Sequence, residues 1–111
     1  MLQKIKKSVA TIFAHIIKLE HRDIQKSAPL FCDLMGEDFD ISIDEAKELL
    51  SDVLSSDYDI DADIEIVANA LKDDILSKYH LLSQLNHIIY SGEFSDSDYE
   101  FFENFEKRLG L

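Results

Sequence analysis

The chain has 111 residues, 46% of them hydrophobic and 31% charged, with one Pro and three Gly; this is the composition of a single globular domain spanning residues 1–111, and it excludes disorder and a two-domain layout. Eleven Lys and Arg against 23 Asp and Glu leave a net charge of -12, which repels phosphate backbones and excludes a nucleic-acid-binding module. Cys32 is the single cysteine, so an internal disulfide and a Cys-rich zinc site are excluded and a reducing, cytoplasmic setting is expected.

Leu2, Ile5, Val9, Ile12, Phe13, Ile16 and Leu19 recur at spacings of three and four, with Lys4, Lys7 and Lys18 opposite, which predicts an amphipathic first helix. Thr11, His15 and Lys18 interrupt the apolar stretch, so the segment reads as part of the fold and not as a cleaved leader. Nowhere does an apolar run approach the roughly 20 residues of a membrane span, and an integral membrane protein is not expected. Residues 1–26 carry six bases and two acids, whereas the remainder carries five bases and 21 acids. The basic arm is expected to complement the acidic helices of its own body rather than a separate anionic partner.

Asp23 to Ser27 break the apolar pattern, and Pro29 suits only a first helical turn. A short second helix is therefore expected on Leu30, Phe31, Leu34 and Met35, closed by Gly36. Ser42-Ile43-Asp44-Glu45 has the form of a capping box and starts a third helix, whose apolar face is Ile43, Ala46, Leu49, Leu50, Val53 and Leu54. Ile60, Ile64, Val67 and Leu71 mark a fourth helix, with Asp59 or Asp61 as its N-cap. Ile75, Leu76, Tyr79, Leu82, Leu85, Ile88 and Ile89 give the fifth helix so broad an apolar arc that it is expected at the centre. Ser91-Gly92 ends it, Ser95 with Asp98 caps a sixth, Phe94 staples onto Tyr99, and Phe101, Phe102, Phe105 and Leu109 face the core before Gly110. No segment alternates as a strand does, so the fold class is all-α, a compact bundle of about six helices. Ile12, Ile24 and Phe31 find an echo 70 residues on in Leu82, Phe94 and Phe101, which suggests two hairpins flanking the middle pair.

Residues that carry chemistry are few. The ladder Asp57, Asp59, Asp61, Asp63, Glu65 fails as an EF-hand loop, because Ala62 stands where the turn needs Gly and Ala68 where a bidentate Glu is required. Carboxylates gathered at a helix N-terminus explain it better. His80, Gln84 and His87 share the polar side of the fifth helix, but seven residues separate the histidines by about 10.5 Å, too far for one ion, and they are expected to face solvent. Cys32 lies among apolar residues beside Asp33, which raises a thiol pKa and argues against a nucleophile. No P-loop, dinucleotide fingerprint or Gly-x-Ser-x-Gly is present, so an enzyme is the least supported class. The turn from Tyr90 to Asp98 places three carboxylates, Glu93, Asp96 and Asp98, among three serine hydroxyls, oxygen ligands of the type Ca²⁺ and Mg²⁺ prefer.

That same turn, Ser91-Gly92-Glu93-Phe94-Ser95-Asp96-Ser97-Asp98, followed at the end by Leu109-Gly110-Leu111, resembles the closing pattern of the TerB-like family, named for a tellurite-resistance protein. Gly92, Glu93 and Ser95 match directly, Asp98 stands for a family Glu and Ser91 for a family Asp. Phe39 to Leu50 looks like the family's middle capped helix, and Glu20 to Ala28 is the first-half counterpart of the turn, with His21 and Arg22 at the Asp-Gly positions. The resemblance implies a compact bacterial, cytoplasmic helical bundle found in stress-response or membrane-associated assemblies, with divalent-metal binding by acidic residues in some members. Carried onto this chain, it makes Glu93, Asp96 and Asp98, joined by Asp23 from the first-half turn, the candidate ligands of a weak Ca²⁺ or Mg²⁺ site. The expected function is a non-enzymatic binding or scaffold domain, or alternatively a pure protein-interaction module with no metal. A basic protein partner would meet the acidic surface centred on Asp52, Asp57, Asp59, Asp61 and Asp63.

Overall fold

A 3-10 turn, Gln3–Ile5, leads into α1 (Lys6–Leu19), followed by α2 (Ile24–Phe39), α3 (Ile43–Ser55), α4 (Ile60–Ala70), α5 (Ile75–Tyr90) and α6 (Asp96–Arg108). The computed structural model describes residues 1–19, 23–92 and 95–111, and among these there are six α-helices and no strand. The fold is all-α. Its radius of gyration, 12.8 Å, matches the roughly 13 Å of a compact domain of this length.

α1 is the central element. It packs on each of the other five helices, and Val9, Ala10, Ile12, Phe13, Ala14, Ile16 and Ile17 are all essentially inaccessible. Burial extends round to Ser8 and Thr11, whose hydroxyls are satisfied by the Asp63 carboxylate at 2.9 Å and the Lys7 carbonyl at 2.8 Å. This corrects the expectation that the fifth helix holds the centre. α5 buries Leu81, Leu82, Leu85, Ile88 and Ile89, but Ile75, Leu76 and Tyr79 are exposed, Leu76 at 80%. Its broad apolar arc is thus two surfaces, one in the core and one facing water.

The second helix is longer than its sequence pattern predicts. Asp23 caps it by accepting from the Gln25 N–H at 3.0 Å, so α2 starts six residues before the expected Leu30 and takes Pro29 into its body. Pro29 removes a bond to the Gln25 carbonyl, but both residues are exposed and that carbonyl is within reach of water. The helix also runs through Gly36. Asp40, at φ 54°, adopts the left-handed conformation that terminates it, and its N–H bonds to the Gly36 carbonyl at 2.9 Å. Gly36 lies inside the helix and not at its end, and a Cβ there would meet the Ile41 carbonyl at 3.4 Å, an ordinary contact.

Other start signals act as read. Ser42 accepts from the Glu45 N–H at 3.1 Å, the forward half of the expected box, and Asp59, of the two candidates, caps α4 through the Asp61 and Ala62 N–H groups. Ser95 and Asp98 close a reciprocal capping box at α6, with the Ser95 N–H donating to Asp98 Oδ2 at 3.1 Å. Gly110, at φ 82°, permits the Leu111 N–H to reach back to the Glu106 carbonyl. The expected Phe94 staple lies outside the described residues.

Candidate functional site

Between α2 and α3 lies an open groove of about 780 Å³. Its α2 wall is Ile24, Gln25, Ala28, Pro29, Cys32 and Asp33, and its α3 wall is Ile43, Lys47, Leu50, Ser51, Leu54 and Ser55. Each set repeats at helical spacing, so each is one stripe of one helix. The two helices meet along their inner faces, where Phe31, Met35, Ala46 and Val53 are buried. Above that seam the walls carry short side chains, Ala28, Ser51 and Ser55, which leave the space between the helix barrels unfilled. Leu50 and Cys32 form its buried floor, while Ile24 and Ile43 at its two ends are 46% and 61% exposed. The volume falls in the usual range for ligand sites, and contiguous exposed apolar surface of this kind marks an interaction site.

Cys32 does not make the groove a catalytic centre. Burial pushes its thiol pKa up and Asp33 adds to this, outweighing the opposing pull of Lys47. The thiol is therefore held neutral, and its Sγ faces the Ile43 carbonyl at 4.0 Å.

The acidic surface expected to meet a partner is partly engaged within the fold. Asp59 caps α4, Asp61 pairs with Arg108 at 2.7 Å, and Asp63 accepts from Ser8. Burial raises the Asp63 pKa, which the Ser8 bond and the nearby Lys7 oppose. No ion pair between described residues involves Lys4, Lys6 or Lys7, and Lys7 acts on Asp63 only at longer range, favouring its charged form. Asp52 and Asp57 remain exposed.

Two of the expected metal ligands have other work. Asp23 caps α2 and Asp98 is fully buried within the α6 capping box, whereas Asp96 is exposed; Glu93 lies outside the described residues. Among the described residues no three His, Cys, Asp or Glu side chains gather as a metal-binding group. A carboxylate sunk at a helix start with one oxygen committed to the cap, as Asp98 is, is poorly placed to join the six to eight oxygens of a Ca²⁺ shell.

Two polar clusters escaped the sequence reading. Asp38 is buried, and its Oδ1 lies 2.9 Å from both His80 Nε2 and Gln84 Nε2. Gln84 is itself buried and does not face solvent as expected, whereas His80 and His87 are exposed, His80 while bonded to the buried Asp38. The signal was available: with α2 continued past Gly36, Asp38 falls four and seven residues after Leu34 and Phe31, on the buried stripe.

The second cluster is His15, whose Nδ1 lies 2.9 Å from the Tyr58 hydroxyl, with the Lys18 ammonium 5.4 Å from the Tyr58 ring. Burial, then Lys18, lowers the His15 pKa against a weaker upward pull from Asp61. The unfolded chain consequently binds this proton first. His15 contributes stability that is present above its unfolded pKa near 6.5 and is lost as pH falls below it. Asp63, with its raised pKa, acts in the opposite sense, giving stability that is lost as pH climbs above the ordinary carboxylate value. In urea melts at pH 7.5 and 5.5, His15→Gln is expected to lose less stability on acidification than the unsubstituted chain; parallel losses would remove His15 from the account.

No protein-family model, curated protein or solved structure matches this chain. No described helix is long and apolar enough to cross a membrane.

Proposed function

We propose that this chain is a small acidic, non-catalytic binding domain that docks a segment of another protein in the groove between α2 and α3. The observation that carries the reading is the groove itself: an apolar floor flanked at its two ends by isoleucines left 46% and 61% exposed, on a face built by two well-packed helices. The neutral, buried thiol and the absence of a nucleophile–base pair along the groove wall support binding rather than turnover. The sequence resemblance to TerB-like domains points the same way, toward a component of assemblies.

The test is an NMR titration of the ¹⁵N-labelled chain with helical peptides that share one leucine stripe and differ in the charge of the opposite face. Saturable shifts at Ile24, Ala28, Ile43, Lys47 and Leu54 with at least one peptide are expected. A folded chain on which no peptide of any charge produces them would sink the reading.

A further inference from the structure

The groove's dimensions and charges point to its occupant, and we infer that it receives a basic amphipathic helix of about three turns. This inference rests on the docking role proposed above and adds the chemistry of the partner.

The shape argument starts from the walls. The α3 lining runs from Ile43 to Ser55, about 18 Å at 1.5 Å per residue, and the α2 lining from Ile24 to Asp33, about 14 Å. An occupant lying along it would therefore have about ten to twelve helical residues. Both walls are helices whose backbone groups are used internally, so no strand edge is offered for main-chain pairing. Recognition must then come from side chains inserted between Ile24, Ala28, Leu50 and Leu54. A row at i, i+4 and i+7 on a helix has that spacing and stays dry only if the rest of its surface is polar.

Charge complementarity selects the sign of that polar surface. Asp33 lines the groove, and at 100° per residue Asp44 and Glu48 lie next to Lys47 and Ser51 on the outer rim, with Asp52 one step further round. All four are exposed. Among the described residues Lys47 in the lining and Lys26 on α2 are the opposing bases, so the described rim is net acidic, as is the chain at -12. Lysines and arginines flanking an apolar stripe would meet these carboxylates, accelerating association and disfavouring acidic competitors. Asp52, about 140° round α3 from Lys47, is the member of the expected acidic surface nearest this rim, while Asp57 borders a separate hollow beside His15 and Tyr58 and Asp59, Asp61 and Asp63 serve the fold.

Fluorescence anisotropy with three labelled peptides of one leucine stripe, carrying Lys/Arg, Gln or Glu on the opposite face, tests this at 50 and 300 mM salt. The basic peptide is expected to bind about tenfold tighter than the Gln peptide at low salt, the sum of several weak rim pairs. That advantage should shrink at high salt. Asp44→Asn/Glu48→Gln/Asp52→Asn should remove most of the advantage and leave the Gln peptide unchanged. Ala28→Trp, which fills the groove, should weaken both peptides. If that variant misfolds, Ile43→Gln at an exposed position provides the same reading. Equal affinity for the three peptides, or a basic advantage untouched by the Asp44→Asn/Glu48→Gln/Asp52→Asn variant, overturns the inference about charge while leaving docking intact; basic binding untouched by Ile43→Gln would put the peptide outside the groove and overturn the docking role. Tighter binding of a medium-chain fatty acid, competing with the basic peptide, would overturn it in favour of a small amphiphile anchored by Lys47. Binding by none of the peptides is the separate failure of the docking role itself.

Discussion

Phe13→Ala is expected to cost about 3–5 kcal/mol, the usual range for removing a fully buried aromatic ring from a packed core. Phe13 is 1% exposed on the helix that every other helix packs against, so no neighbour can collapse into the space without disturbing a second interface. A domain of this length has about 5–15 kcal/mol of total stability, and the loss would consume a large part of it. The same logic makes removal of residues 1–19 more severe. That truncation takes away Ile5, Val9, Ile12, Phe13, Ile16 and Ile17 together and exposes the inward faces of five helices. The truncated chain should show no cooperative urea transition, and Phe13→Ala a midpoint well below that of the parent. A truncation that melts like the full chain would mean α1 is an appended arm.

The helix starts were legible because their signals are local. Ser42, Asp59 and Ser95 each place an oxygen where free N–H groups need it, and each cap forms whatever the helix later packs against. The extent of α2 was not legible, for two reasons rooted in context. Pro29 costs a helix a hydrogen bond and a clash with the preceding turn, and on the exposed side of α2 water can take up the freed Gln25 carbonyl and lower the first of these costs. Gly36 signals a helix end only where the chain turns left-handed at it, and here that turn comes at Asp40, four residues later. The groove followed α2 out of view. Ile24 and Ala28 become a stripe only when the helix that carries them is known to begin at Ile24. Centrality was misjudged because an apolar arc records how much surface avoids water, not which partner covers it. The exposed Ile75 and Leu76 widened the α5 arc without burying it.

The buried cluster around Asp38 makes the other large prediction. Its side chain is 1% exposed, and Oδ1 receives both His80 and Gln84, whereas Oδ2 and the Gln84 Oε1 are buried without a hydrogen-bond partner among the described residues. Removing one member leaves the others worse off. Asp38→Ala strands the Gln84 amide donors in the core, and Gln84→Met leaves a buried carboxylate with His80 alone; each is expected to cost about 1–3 kcal/mol. His80→Ala should fall at the low end of that range, because the His80 side chain is 42% exposed and water screens its interaction with Asp38. The double variant Asp38→Ala/Gln84→Met removes the stranded groups together, so it should be less destabilised than the two single losses added, by about 1 kcal/mol or more. Urea denaturation of the four chains at pH 7 closes the cycle. A double variant equal to the sum would mean that Asp38 and Gln84 do not act as a unit. A double variant no worse than Asp38→Ala alone would show that the amide is kept in the core only to serve the carboxylate.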